Sequence, residues 1–209
     1  MRKALRISLN KGVLFLFTLV FLQVSAQDSI SVKRSHRFPI WSFHTINKTI
    51  DGISFGLGTI PNKYRNVNTN GIKIELIGVG FFTSMVPKSP IAHNDTGYFK
   101  MMSVPLSETV NGIALSAFGT AADEKVNGIT LGFWGQYLTQ MNGFGAVCFV
   151  NFVQKVNGVQ AAFLMNDSYE LHGLQIGLLN RTQRLKGVQI GLWNVNSKRK
   201  LPLINWSFD

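Results

Sequence analysis

From about residue 48 onward, apolar and polar positions alternate behind a recurrent glycine. Apolar residues fall one, three and five places after it, as in Ile113, Leu115 and Ala117, in Ile129, Leu131 and Phe133, and in Val188, Ile190 and Leu192. The places between hold small or polar residues, among them Gln160, Gln175 and Gln189, and Gly132, Gly177 and Gly191. A period of two predicts a half-buried β-strand of about six residues in each unit. A second apolar residue follows at once (Phe118, Trp134, Phe149, Leu164, Leu179, Trp193) and breaks the alternation as a corner does. A polar residue comes next: Thr120, Gln136, Asn151, Asn166, Asn180, Asn194. Asn-Gly ahead of five of the strands supplies the positive φ that a tight turn needs.

The units form a tandem repeat. Their leading glycines, Gly112, Gly128, Gly143, Gly158, Gly173 and Gly187, are spaced 16, 15, 15, 15 and 14 apart. Two earlier copies, in the region 50–80, begin at Gly52 and Gly71. An irregular excursion over 83–108, with Pro87, Pro90 and Pro105, separates them from the main array at 110–195, and 196–209 forms a C-terminal cap. This organisation predicts an all-β single domain, a short-repeat β-solenoid with about 15 residues per coil. Parallel stacking puts equivalent positions side by side, which gives a physical reason for one residue type to recur. On this reading the apolar columns fill the core, an asparagine column forms a side-chain ladder, and the glutamines make an exposed amide stripe. A charge at Ile190 is then expected to unfold the last coil, and Gln189→Ser to be nearly silent. The alternative is an antiparallel β-meander or an outer-membrane β-barrel. The linkers at 167–170 and 181–184 are too polar for a second core-facing strand, and Ile204, Trp206 and Phe208 alternate as a closing barrel strand does. Asp209, however, spoils the last position, where such a strand usually carries an aromatic.

Composition adds an address. Arg2, Lys3, Arg6 and Lys11, the apolar run Val13–Leu22, and Val24-Ser25-Ala26 have the three-part form of an export signal over 1–26. The expected mature chain, 27–209, has 17 basic and 10 acidic residues, a net charge of +7. Its single cysteine, Cys148, excludes an intramolecular disulfide framework, and its place in the unit predicts a small buried hydrophobe.

The tandem Gly-x-Gln-Ile-Gly-x-x-Asn units behind a signal peptide resemble the bacterial surface-repeat proteins. The ending Lys198–Asp209 and the segment Asn70–Gly80 are similar to the close and the N-terminal part of that family. The resemblance runs from about Arg37 to Asp209 and fades toward the front, where Ser54, Lys73 and Ala114 stand in place of the glutamine. It implies a location in the outer membrane, at the cell surface or in the periplasm of a Gram-negative-type bacterium. It implies no established chemistry.

The residues themselves indicate no catalytic, cofactor-binding or metal-binding site. His36, His44, His93 and His172 are not spaced as ligand pairs. A carbohydrate-acting enzyme on a β-helix needs clustered carboxylates, whereas Asp51, Glu75, Asp95, Glu108, Asp123, Glu124, Asp167 and Glu170 are scattered along the chain. The adjacent Asp123 and Glu124 point to opposite faces of a strand. The basic residues Lys33, Arg34, Arg37, Arg181, Arg184, Lys186 and Lys198-Arg199-Lys200 keep linkers wet and blunt strand edges. For an exported chain, their polyanion would be envelope polysaccharide, lipopolysaccharide or an anionic membrane surface rather than nucleic acid. The expectation is a non-enzymatic, exported envelope or surface repeat protein with a structural or interaction role.

Overall fold

A computed structural model describes residues 33–59, 64–85 and 88–208. The leader expected over 1–26, Pro87 and Asp209 lie outside them. The elements run β1 (Ser35–Arg37), β2 (Ile40–Ser42), β3 (Lys48–Gly56), β4 (Val67–Glu75), a 3₁₀ turn (Gly80–Met85), α1 (Asp95–Met102), β5 (Glu108–Ser116), β6 (Ala121–Gly132), β7 (Gly135–Val147), β8 (Val150–Ala162), β9 (Met165–Ile176), β10 (Leu179–Val195) and β11 (Lys200–Ser207).

Each unit bends at its glycine instead of turning back. Gly158 has φ 138°, and a Cβ there would sit 2.0 Å from the carbonyl oxygen of Gly143 in the coil below. Only glycine fits such a corner, and the ladder runs straight through it. The strand therefore does not start at the glycine, as the sequence suggests. β8 is 13 residues long, and the glycine sits inside it. Strands β3 to β10 stack in parallel with Gly52, Gly71, Gly112, Gly128, Gly143, Gly158, Gly173 and Gly187 in register. Only β11 runs antiparallel, on β10. The chain is a β-solenoid, and its parallel ladder rules out the meander and the barrel. The two early copies belong to the same sheet as the main array. The Asn corners form the expected kind of ladder, from Asn70 on Asp51 at 2.7 Å to Asn157 on Asn142 at 2.7 Å.

The two faces are the reverse of the sequence expectation. The apolar core column lies two places before the glycine: Ile50, Val110, Val126, Met141, Val156, Leu171 and Leu185 are all buried. The glutamines two places after it are also inside, and Gln160, Gln175 and Gln189 have no exposed surface. The apolar residues one, three and five places after the glycine face outward.

The reason is the space and the carbonyls inside a narrow coil. A Cβ at Gly177, four places after its corner glycine, would lie 2.4 Å from the carbonyl oxygen of Ala162. Phe and Trp side chains fit only on the outside of such bends. Interior carbonyls and amides are answered by other amides. Gln175 Nε2 donates to Gln160 Oε1 at 2.8 Å, to Ser168 Oγ at 3.1 Å and to the Arg181 carbonyl at 3.2 Å. Asn180 Nδ2 donates to Asn194 Oδ1 at 2.8 Å and to the Ile190 carbonyl at 2.9 Å. Buried polar groups satisfied in this way carry little penalty. Because that end of the interior is polar, the polar linkers do form a second inward-facing wall, with Ser168 and Thr182 buried and their hydroxyls 2.9 Å apart.

The inversion reverses the mutational expectation. Gln189→Leu strands the Val195 carbonyl and Asn205 Nδ2, which now meet Gln189 at 3.2 and 3.0 Å. We expect a loss of about 1–3 kcal/mol in urea denaturation. Ile190→Asp changes an outward residue and should cost about 1 kcal/mol or less.

The excursion at 83–108 is ordered by packing on the wall opposite the outward apolar residues. Asn94 caps α1 by accepting from the Gly97 amide at 2.7 Å. Tyr98 stacks on Tyr169 with centroids 4.3 Å apart, within a cluster that includes Ile91, Ala92, Val150 and Phe152. Gln154 receives the Ala92 amide at 3.1 Å and donates to the Pro90 carbonyl at 3.1 Å.

Candidate functional site: an uncharged outer face

Part of one wall of the solenoid, at β8 to β10, is covered by the chain's own helix and its flanks. The other is bare over the described residues. In eight successive coils, the residues one and three places after the corner glycine run from Ile53 and Phe55 to Val188 and Ile190, and every one is apolar. The fifth place continues the pattern, with Phe133, Phe163, Leu178 and Leu192 outward. Phe163 is 71% exposed and Leu192 62%. Ile204 and Trp206 of β11 extend the strip, since Ile204 pairs with Ile190 and Trp206 with Val188. At about 4.8 Å per strand and 3.3 Å per residue, the strip measures roughly 40 Å by 15 Å. Between β4 and β7 it holds a groove of about 630 Å³ lined mainly by Ile74, Leu115, Leu131, Phe133 and Ala146, with Glu75 and Ser116 also in its lining.

The corner beyond the fifth place is aromatic. Trp134 packs at tilted angles against Phe149 and Phe81, with centroids 4.3 and 5.1 Å apart, and its Nε1 donates to Ser84 Oγ of the 3₁₀ turn at 2.7 Å. Cys148 lies on the same strip and is exposed. It was expected to be buried, and the inversion of the faces moves it out with its apolar neighbours. The glutamines, expected as a surface stripe, are unavailable to a ligand for the same reason.

Charge collects inside, in the N-terminal half of the solenoid. Lys73 occupies the glutamine position of its coil, and its Nζ lies 2.5 Å from Glu124 Oε2, 3.0 Å from Glu108 Oε2 and 3.3 Å from Glu75 Oε1. Arg65 Nη2 meets Glu108 Oε2 at 3.0 Å. Glu75 accepts from the Thr59 hydroxyl and from Thr120 Oγ1 at 2.7 Å. Three of the eight scattered carboxylates, Glu75, Glu108 and Glu124, therefore converge, because residues far apart in the chain share neighbouring coils. Glu108 and Glu124 are partners in register between β5 and β6. A lysine at an inward repeat position was the one signal that could have exposed this. Asp123 and Glu124 do face opposite ways, Glu124 inward and buried.

The cluster contains two cations and three carboxylates, so it is one negative charge over balance when all are ionised. Burial raises the Glu124 carboxyl to about 8, despite the opposing attraction of Lys73. Burial also works against the Lys73 ammonium, but Glu108, Glu124 and Glu75 outweigh it and hold the pKa above its ordinary value. The side chains of Lys73 and all three glutamates are 1% exposed or less, so the cluster is closed to solvent.

The histidines are dispersed. His36 Nδ1 contacts Asp51 at 2.7 Å, His44 Nε2 accepts from the Leu57 amide at 3.1 Å, His93 sits 3.5 Å from Arg181, and His172 lies 3.6 Å from Glu170. Among the described residues, no group of histidine, cysteine, aspartate and glutamate is arranged to hold a metal ion. No helix among them is long and apolar enough to cross a membrane. Compared with known protein families, curated proteins and solved structures, the chain matches none.

Proposed function

We propose that this chain is a non-enzymatic, exported repeat protein of the bacterial cell envelope, and that it works by laying its bare outer face on a membrane surface. The observation that carries this is the strip itself: three outward places in eight coils without one charged side chain. Protein partners leave a different imprint. Their interfaces carry about one hydrogen bond per 100–200 Å², and even homodimer interfaces are only about 65% apolar. Hydrocarbon asks for the reverse, a surface that offers no polar group. A continuous parallel ladder meets that demand, because its backbone N–H and C=O groups are already paired along the stack. The strip is also at the upper end of the roughly 300–600 Å² patches that mark interaction sites. The three-part leader and the resemblance to surface-repeat proteins support the envelope address.

The test is flotation of the purified full chain with phosphatidylcholine vesicles. The wild type should float, and Leu131→Asp combined with Ile176→Asp should lower the floating fraction at least tenfold, with the circular dichroism spectrum unchanged. A wild type that stays unbound would overturn the proposal. So would a stable dimer in light scattering that the same two substitutions dissociate, since that result would give the strip to a second copy of the chain.

A further inference from the structure

The last strand leaves an edge of the sheet open. Among the described residues β11 pairs with β10 alone, and it is the one antiparallel strand of the stack. In that register Ile190 faces Ile204, and Val188 faces Trp206. Ile190 gives its carbonyl to the Gly177 amide of the preceding coil at 3.1 Å, so its backbone is turned away from β11. Bonded and non-bonded pairs alternate along an antiparallel ladder, and a non-bonded pair turns both its backbones outward. The backbone groups of Ile204, and of Trp206 two places on, therefore point off the open edge.

One side chain already occupies that edge. The turn over 196–199 is closed by Asn196, whose backbone amide donates to the Arg199 carbonyl at 3.0 Å while its Oδ1 accepts the Arg199 amide at 2.9 Å. Arg199 is held over the Trp206 ring, its guanidinium carbon 4.5 Å from the centroid. Its Nη2 donates to the Trp206 carbonyl at 2.5 Å and its Nε to Asn205 Oδ1 at 3.0 Å. Asn205 is fully buried and ends the interior amide column, since its Nδ2 donates to Gln189 Oε1 at 3.0 Å. Arg199 thus closes the outward carbonyl of the edge strand and the last acceptor of the column together.

An unpaired edge is a template for a further strand. The first half of β11 is a poor one, because Pro202 has no N–H and Leu203 has φ 63°. The opposite end of the solenoid is blunted too, since β1 and β2 are three residues each and Pro39 stands between them. The stretch from Ile204 to Phe208 has no such defence apart from Arg199. Ile204, Trp206 and Phe208 are 51, 46 and 65% exposed and uncharged. A second copy of the same stretch complements it. About a twofold axis at Trp206, Ile204 meets the partner's Phe208 and the two Trp206 rings lie side by side, an apolar cross-strand set without like charges in opposition.

We infer that Ile204–Phe208 is a latent interface for the same segment of a second copy of this chain, and that Arg199 is the guard that keeps it closed. The pairing is isologous and ends at a dimer, so it does not propagate into a fibre. It needs no membrane and is independent of the reading above, although it would set the outward strips of both copies on one face of a single sheet.

The test is sedimentation velocity of the full chain over a concentration series, without lipid or detergent. Arg199→Met keeps an apolar stem over Trp206 and removes both donors. The wild type has to break those two hydrogen bonds before it can pair, so the variant should dimerise about tenfold more tightly. Arg199→Ala should act in the same direction, which keeps the test sound if circular dichroism shows Arg199→Met to be poorly folded. Adding Ile204→Pro removes an amide from the open edge and none from the ladder to β10, and should return either variant to wild-type association. Equal association of the wild type and both Arg199 variants would overturn the guard. A dimer that survives Ile204→Pro would overturn edge pairing. Growth past the dimer into filaments would overturn the twofold arrangement and give the edge to the opposite end of the next copy.

Discussion

Lys73→Met should destabilise the protein by about 3–5 kcal/mol, a large part of the 5–15 kcal/mol that holds a typical domain together. The substitution preserves the length and apolar stem of the side chain, so little packing is lost. What is lost is the cation between Glu75, Glu108 and Glu124, all within 3.3 Å of its Nζ. Arg65 remains, paired to Glu108 alone. Three carboxylates in a closed interior must then take up protons or drive the coils apart. Urea denaturation measures the loss, and Glu124→Leu added to Lys73→Met should recover part of it. A loss below about 1 kcal/mol for Lys73→Met would mean that the cluster does not exist as described.

The same cluster gives the stability a pH signature. Glu124 is raised in the folded state from 4.5 to about 8. A raised folded value means that the native state holds the proton longer than the unfolded chain does. Its contribution is complete below about pH 4.5 and drains away as pH rises toward 8, with a slope on the order of 1 kcal/mol per pH unit. Glu124→Gln should flatten that portion of the profile relative to the wild type.

Gly158→Ala is the second large effect. A methyl group is the smallest possible side chain, yet its carbon would stand 2.0 Å from the Gly143 carbonyl oxygen and 2.9 Å from the Gly143 carbonyl carbon. The backbone there, at φ 138°, also disfavours any L-residue. Neither obstacle yields to a rotamer change, because both the obstructing atoms and the strained torsion belong to the backbone. The β7–β8 seam has to separate locally, and the expected loss is about 3 kcal/mol or more. Calorimetry gives the total, and hydrogen exchange should show faster amides on both sides of that seam. Unchanged exchange between β7 and β8 would contradict the corner geometry.

The sequence carried the solenoid in its spacing. A period near 15 with the same residue type at each place makes sense only when equivalent residues are neighbours, as Gly158 is to Gly143 and Gly173. It did not carry the direction of the faces through hydrophobicity. Ile190 and Gln189 are adjacent, one apolar and one polar, and alternation states only that they point opposite ways. Size carries more of the answer than polarity. Beside the glutamines, the inward places hold Gly132, Ala162, Gly177 and Gly191, while Phe133, Phe163 and Trp193 stand among the outward ones. A place that holds glycine, alanine or serine in six of eight coils, with Glu75 and Val147 as the exceptions, marks the tight inside of a bend. The charge cluster was hidden for a different reason: Glu75 and Glu124 are 49 positions apart, and only the stacking order brings both to Lys73. The helix over the opposite wall was illegible because the proline-bearing excursion has no repeat period.

The excursion also bears on how such a chain changes over generations. Between Gly71 and Gly112 the spacing grows to 41, yet the two glycines pair as squarely as Gly143 and Gly158 do at 15. A corner can therefore absorb an entire helix as an insertion without disturbing the coils on either side. By the same logic, gene duplication of one whole unit would lengthen the barren side by about 4.8 Å and leave every other coil's neighbours intact. The reach of this protein is an inherited, stepwise quantity, adjustable by copy number instead of by redesign.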